Sequence, residues 1–338
     1  PQPAPPGGGV LTVGRRKAEV GSSALGQRLT RSADGRGSGK GADLRPQGSV
    51  APHLDPVGSS LWSRAWVRVA VVVIAVFWSL PTAGLLISSF RSVNDINSTG
   101  WWTALIHPFE TTWTLANYQQ VLTANGMFDA FVNSLIVTVP ATVIPITLAA
   151  FAAYAFAWIE FPGRSILFAV VVALLIVPLQ MTLVPLLQVY NRTGLTGTFL
   201  GIWLAHTGFG LPLAVYILYN YISQLPRDLF ESAFIDGASH FTAFFRLVLP
   251  LSMPALAAFA IFQFLWVWND LLVALVFLGT DSAVATLTAR LNELVGSRGQ
   301  DWHLLTAGAF ITMVVPVAVF LGLQRFFVRG LLAGSLKG

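Results

Sequence analysis

Cysteine is absent from this 338-residue chain, and charged residues make up only 10% of it. The first absence excludes a disulfide framework, a cysteine-ligated zinc site, an iron–sulfur cluster and a thiol nucleophile. The second argues against a soluble domain, in which roughly 25% of residues are charged. What the chain has in abundance is apolar sequence, with 54% hydrophobic residues and a mean hydropathy of +0.67.

The net charge of +5 is distributed unevenly. Residues 1–68 hold ten Lys and Arg against four Asp and Glu, whereas the remainder holds ten against eleven. Because the basicity belongs to one end, it does not indicate nucleic-acid binding. Residues 1–64 are rich in Pro, Gly and Ser, and we expect a disordered basic cytoplasmic tail there. The alternative is a contact with anionic lipid through clustered Arg and Lys near the first apolar run.

Six uncharged apolar runs follow the tail, each long enough to cross a bilayer, which takes about 20 residues. They cover residues 69–90, 131–159, 165–190, 193–224, 247–269 with an extension to 278, and 304–324. Lipid offers no hydrogen-bond partner to exposed backbone, and the runs lack the alternation of barrel strands. The sequence therefore predicts an all-α membrane protein with six spans. Kinks are expected at eight prolines: Pro81, Pro140, Pro145, Pro178, Pro185, Pro212, Pro254 and Pro316.

The distribution of Lys and Arg predicts the orientation, because positively charged loops tend to stay in the cytoplasm. With both termini inside, eight of these residues from Arg64 onward lie inside and four lie outside. Residues 91–130 then form an extracytoplasmic loop, and residues 223–250 form the longest cytoplasmic connection.

The cytoplasmic connection contains a short predicted helix. Pro226 suits its first turn, and Asp228 and Glu231 lie near the positive end of its dipole. Its apolar face repeats at helical spacing, in the residues Phe230, Ala233, Phe234, Gly237, Ala238 and Phe241. Such a face either lies on the membrane or packs into a groove of another protein. Because the polar face lacks clustered Lys and Arg, docking onto a protein is favoured.

The same segment resembles the EAA loop of ATP-binding-cassette importer permeases. The matching residues are Glu231, Ser232, Ala233, Asp236, Gly237, Ala238, Leu249 and Pro250. Ser232 and Leu247 depart from the family's Ala and Ile, and both changes are conservative. Three further stretches, at residues 113–118, 268–270 and 325–338, are similar to the MalG-type subunit of sugar importers. The resemblance covers roughly residues 65–338.

This resemblance implies a six-helix, MalF/MalG-like type I importer permease that carries a di- or oligosaccharide such as maltodextrin or trehalose. It implies three kinds of partner besides the lipid bilayer: a second six-helix permease, two cytoplasmic ATPase subunits on the EAA loop, and an external sugar-binding protein. Glu231 and Asp236 would pair with basic groups of the ATPase. ATP and Mg²⁺ would be bound by the ATPase subunits, and this chain would bind no cofactor.

No catalytic motif competes with that interpretation. Residues 35–40 approach a phosphate-binding loop, but Asp34 and Gly41 stand where Gly and Ser or Thr are required. The five His residues are scattered without the spacing of a metal site. We therefore expect a non-catalytic subunit of the bacterial plasma membrane.

The fifth span contains the candidates for a solute path. Asn269 and Asp270 could hydrogen-bond sugar hydroxyls, and aromatic rings could stack on sugar faces. The aromatic candidates are Phe262, Trp266 and Trp268. The alternative for all five residues is helix capping or packing within the bundle.

Two other functional classes stay open at this point. A stand-alone secondary transporter would need internal repeats and an intramembrane coupling site, for which only Asp270, His206 and His303 are available. A membrane scaffold would use the cytoplasmic loop only to recruit a partner.

Overall fold

A computed structural model describes the backbone of residues 61–123, 126–295 and 301–335, with side chains described from 65 to 324 within those ranges. Three sequence features lie outside the described residues: the basic tail up to residue 60, the phosphate-loop-like stretch within it, and the side chains of the terminal motif from residue 325. The prediction of a disordered tail thus stays a prediction. The first helix begins at Leu61, four residues before the predicted domain boundary.

The described chain is built from helices joined by short connections. Their bounds are α1 Leu61–Ser89, α2 Val93–Ser98, α3 Thr103–Ile106, α4 Ala116–Thr123, α5 Met127–Trp158, α6 Arg164–Ala173, α7 Leu179–Thr193, α8 Phe199–Ile222, α9 Arg227–Ile235, α10 His240–Ala243, α11 Leu249–Trp268, α12 Leu272–Phe277, α13 Leu287–Val295 and α14 Trp302–Ser335. A 3₁₀ turn covers Leu174–Ile176 and a π turn covers Phe244–Val248. Within the described residues the backbone forms no strand beyond one isolated bridge, between Arg91 and Trp113.

Among the described residues, five helical segments are long and apolar enough to cross a membrane. They are Ala65–Ser89, Met127–Trp158, Phe199–Ile222, His240–Trp268 and Trp302–Gln324. The all-α membrane architecture predicted from the uncharged runs is therefore confirmed. The second span begins at Met127, so the loop predicted to extend to residue 130 ends at Gly126 instead.

The third uncharged run is not one helix, contrary to the sequence prediction. Helices α6 and α7 are bent by 103° relative to each other, and they amount to a sixth span only if this bent pair is counted as one. The break lies between Val177, which is extended, and Pro178, which precedes the first residue of α7. Proline has no backbone N–H and disfavours a helical conformation in the residue before it, so the helix ends here. The other prolines that were predicted to cause kinks, such as Pro140 and Pro145 in α5, lie inside continuous helices.

Helices α5, α8 and α11 form the centre of the bundle. Small side chains on α5, including Ala149, Ala150 and Ala153, are almost completely buried and pack against α8. Small residues allow helix backbones to approach closely, which is how helices associate where lipid removes the usual hydrophobic driving force.

A buried amide joins these three helices. Gln263 of α11 is completely buried, and its Nε2 donates a hydrogen bond to the carbonyl of Ala141 in α5, at 3.1 Å. The same amide lies against Gly210 of α8, where a Cβ atom would approach it to 2.7 Å. The three helices thus meet at a point where any side chain on α8 would require the Gln263 amide to move.

Candidate functional site

Helix α9 forms the predicted short helix of the EAA-like segment, and its two ends follow from local sequence. Pro226 precedes the first residue, Arg227, and Asp228 lies in the first turn. At the other end Gly237 adopts φ +85°, a left-handed conformation that glycine accepts without strain. The amide of Gly237 donates to Phe234 and that of Ala238 to Ala233, at 3.0 and 2.9 Å. This pair of bonds is a Schellman motif, which fixes the direction in which the chain leaves the helix.

The buried residue of α9, Phe230, attaches this helix to the bundle. Phe230 is completely buried, and its ring stacks on Trp158 at the end of α5 with centroids 3.9 Å apart. The Trp158 indole N–H donates to the carbonyl of Ile222, the last residue of α8, at 3.2 Å. The prediction that the whole apolar face docks onto another protein is therefore wrong at Phe230, because this ring belongs to the chain's own core.

The rest of the EAA-like segment lies at the surface. Glu231, Ser232, Asp236 and Gly237 are exposed, whereas Ala233 and Ala238 are partly buried. A groove of about 450 Å³ runs beside them between α9 and the start of the next helix, lined by Ala233, Asp236, Gly237, Ala238, Thr242, Ala243, Arg246 and Leu247. The groove is wide enough for side chains of another protein and carries one acidic and one basic residue.

Leu249 and Pro250 begin α11 directly after the π turn. The amide of Leu249 donates to Phe244, five residues back, and Pro250 has no N–H to continue the α-helical pattern. Phe244 stacks on Phe151 of α5 at 4.5 Å, which ties this turn to the bundle. Phe241, a member of the predicted apolar face, is by contrast 69% exposed.

Trp268 and Asp270, two of the residues proposed for a solute path, have structural partners instead. Trp268 is buried between Phe131 and Phe264, and its indole N–H donates to the carbonyl of Thr312 at 3.0 Å. Asp270 accepts hydrogen bonds from the amides of Val273 and Ala274, at 3.3 and 2.9 Å, so it caps α12. For these two residues the structure supports the packing and capping alternative.

Of the other three path candidates, Trp266 borders a cavity. Phe262 and Asn269 are exposed, and the Asn269 amide bonds back to Leu265 within its own helix. The cavity beside Trp266 holds about 350 Å³ and lies where the third run breaks, next to α8. Thr182 and Phe209 also line it. The structure thus does not bring the five candidates together into one site.

Sequence analysis named His206 and Asp270 as ionisable residues of the spans but did not predict that they lie side by side. His206 of α8 is completely buried, and neither ring nitrogen has a hydrogen-bond partner among the described residues. Its Nε2 lies 3.8 Å from an Asp270 carboxylate oxygen, and its ring stands edge-on to Trp266. The available signal was one ionisable residue in an otherwise uncharged run, which in a membrane protein calls for explanation.

The motif at residues 113–118 lies at the end of the bundle opposite to α9, and its role there is structural. The side-chain amide of Asn117 donates to the carbonyls of Ser89 and Arg91, at 3.0 and 2.9 Å. The hydroxyl of Tyr118 lies 2.8 Å from that of Ser89. These bonds hold the loop after α1 against the end of that helix.

Comparison with known proteins agrees with this architecture. The family model described as "Binding-protein-dependent transport system inner membrane component" matches residues 57–332. The chain belongs to this family. Its members are non-catalytic, membrane-spanning subunits of ABC transporters, which confirms the predicted class and the multi-pass location in the plasma membrane. Membership of this family argues against the alternative that the chain is a stand-alone secondary transporter.

Individual relatives cover nearly all of the membrane part. The "Osmoprotective compounds uptake permease protein GgtD" of Synechocystis sp. is 61% identical, over 82% of this chain and 94% of that protein. The "Alpha-glucoside transport system permease protein AglG" of Rhizobium meliloti is 46% identical, over 80% and 97%. A crystal structure of a bacterial ABC transporter for the import of alginate matches with a TM-score of 0.56 at 14% identity, covering 79% of this chain and 96% of the matched one, and shows a shared fold.

Proposed function

We propose that this chain is the permease subunit of an ATP-driven sugar importer and that helix α9 receives the force of ATP hydrolysis from a cytoplasmic ATPase. The observation that carries the proposal is the construction of α9. Its outer surface presents Glu231 and Asp236 beside an open groove, while Phe230 attaches it to the ends of two spans. A helix that moves as a unit with the bundle can convert a push on its outer surface into a rotation of the spans.

The proposed importer contains further subunits besides this chain. A second six-helix permease would form the other wall of the solute path, and an external sugar-binding protein would deliver the cargo. A transporter of the same fold is described in complex with a periplasmic protein bound to an alginate pentasaccharide, which supports the last partner. ATP and Mg²⁺ belong to the two ATPase subunits, each of which would dock on one permease.

An uncharged glycoside fits the cargo better than an ion. The spans carry almost no ionisable groups, and the carboxylate of Asp270 already caps α12. An ionic solute usually requires intramembrane charges of opposite sign. The names of the relatives, which include alpha-glucosides, trehalose and melibiose, support a di- or oligosaccharide. Trp266, beside the cavity at the broken span, is the residue of this chain best placed to contact it.

The test replaces Gly237 by Val and follows co-purification of the ATPase in mild detergent. A β-branched residue at φ +85° should strain or redirect the turn, at a cost of roughly 1–2 kcal/mol. No atom lies within 4 Å of the position a Cβ would take, so the effect is one of backbone direction and not of a clash. We expect loss of the ATPase and of sugar-stimulated hydrolysis while the spans stay inserted.

Gly194→Val is the matched control. Gly194 ends α7 with φ +72°, is equally free of neighbours, and lies at the opposite end of the bundle. It should impose a similar strain and leave the ATPase bound. Retention of the ATPase by the Gly237 variant, or equal loss from both variants, would contradict a coupling role for α9.

A further inference from the structure

A group of large apolar side chains on the loop after α1 is largely exposed within the described chain. The loop patch, as we name it, consists of Trp102, Leu105, Ile106 and Phe109, with exposed fractions of 56, 62, 66 and 101%. Soluble surfaces rarely gather such residues without a function. On the short helix α3 only Ala104 faces inward and is buried, so the apolar residues on either side of it point away from the protein.

The loop patch is held in a fixed position by a buried cation. Arg91 is 1% exposed, and its guanidinium donates hydrogen bonds to the carbonyl of Asp95, at 2.8 Å, and to the backbone and side chain of Thr99. A weaker bond reaches the hydroxyl of Thr103 in the first turn of α3. Together with the bonds from Asn117 to the end of α1, this network joins α3 to the first span. The loop patch is therefore held at a fixed position along the axis of that span.

The contact of Trp101 with α1 shows at which depth in the membrane the loop lies. Its indole packs across Gly84, where a Cβ atom would approach the ring nitrogen to 2.8 Å. Gly84 is five residues before the end of α1, or about 7 Å below it at 1.5 Å per residue. The apolar span Ala65–Ser89 is about 37 Å long and exceeds the hydrocarbon core of about 30 Å, so its ends lie among the headgroups. The loop folds back along α1 to the boundary between headgroups and hydrocarbon.

The surroundings of the loop patch favour lipid over protein as its occupant. The first span is almost uncovered by the rest of the described chain, with 6% of its most apolar window buried, so the loop patch continues an exposed apolar surface of α1. Trp beside aliphatic residues and Thr is the composition of the aromatic belt at membrane surfaces. No Lys or Arg occurs between residues 92 and 163, so attraction to anionic headgroups plays no part.

We propose that the loop patch is a membrane-interface anchor, inserted among the headgroups of the bilayer beside α1. The chemistry required of the lipid is only a zwitterionic or neutral interface into which Trp and aliphatic side chains partition. This inference is independent of the proposed coupling role of α9, because it depends only on α1 being a span.

The absence of native cysteine gives a direct test. Single cysteines replace Ile106 and Phe109 in the full chain, purified with the subunits that accompany it, and carry a nitroxide label in phosphatidylcholine nanodiscs. Paramagnetic resonance then measures collisions of the label with oxygen, which dissolves in lipid, and with a water-soluble nickel chelate. We expect several-fold fewer nickel collisions at both positions than at Asn97→Cys, an exposed polar position of α2, with oxygen collisions retained.

Phe77→Cys, at a 71% exposed position inside α1, supplies the reference for a label in lipid. Equal nickel collisions at residues 97, 106 and 109 would overturn the anchor. Loss of both oxygen and nickel collisions at 106 and 109 would also overturn it, because a label covered by another subunit is shielded from both reagents. Shielding that appears only after the external binding protein is added would assign the loop patch to that protein.

Discussion

At the scale of single residues, the pair His206 and Asp270 shows how an ionisable group can be structural within a membrane bundle. Asp270 makes two hydrogen bonds to the amides of α12, whereas His206 makes none within the described chain. A buried polar group without a partner lowers stability, but one that caps a helix raises it.

Opposite effects on stability are therefore expected at these two positions. His206→Leu removes an unpartnered polar ring at nearly constant volume and should leave the unfolding midpoint unchanged or raised. Asp270→Ala removes the cap of α12 and should cost about 1 kcal/mol. Thermal unfolding of the purified chain in detergent measures both. A large loss of stability in the His206 variant would contradict this expectation, because it would show that the ring makes a stabilising contact within the chain.

At the scale of elements, helix contacts depend on where the smallest residues stand. Gly208 and Gly210 lie two positions apart on α8, yet only Gly210 faces the buried amide of Gln263. A Cβ atom at Gly208 would have no neighbour within 4 Å. The two glycines are similar in the sequence, but in the bundle only Gly210 stands where a Cβ atom would meet another side chain.

Gly210→Ala should displace the Gln263 side chain and weaken the contact between α8 and α11, at a cost of about 1–3 kcal/mol. Gly208→Ala is the matched control on the same helix and should be neutral or slightly stabilising, because alanine favours the helix. Unfolding midpoints of the two variants make the comparison. Equal losses of stability in the two variants would show that the Gln263 side chain can move away from a Cβ atom at residue 210 at no cost in free energy.

The break between α6 and α7, in the third uncharged run, is a second example at the scale of elements. Both the sequence and the structure place a proline at the break, but the sequence alone predicted only a kink in a continuous helix. The angle of 103° arises because the chain leaves the helical conformation at Val177 and begins a new helix after Pro178. Whether a proline bends or breaks a helix depends on neighbours that satisfy the freed backbone groups.

At the scale of the whole molecule, the distribution of charge predicts the orientation in the membrane. The excess of Lys and Arg predicts the EAA-like segment inside and the loop after α1 outside. With no native cysteine, Ser232→Cys and Thr111→Cys provide one reporter on each side. A membrane-impermeant maleimide added to intact cells should label residue 111 and should reach residue 232 only after the membrane is opened. The reverse pattern would invert the topology and place α9 away from any cytoplasmic ATPase.

Much of this protein was determined by its sequence alone. The uncharged runs determined the helical membrane class, because lipid allows no other backbone arrangement for such segments. Local signals determined the existence and ends of α9, since Pro226 and the left-handed Gly237 act on their immediate neighbours. The spacing of the EAA-like residues indicated the family, which the comparison confirmed.

Only the tertiary structure decided which faces of these elements are free. Phe230 and Trp268 are indistinguishable by sequence from docking or stacking residues, and both are buried against rings far away in the chain. Arg91 counted as an external positive charge, yet it is a buried donor that organises a loop. Periodicity reports that a residue is apolar or charged, whereas burial depends on contacts between distant segments, which no local pattern encodes.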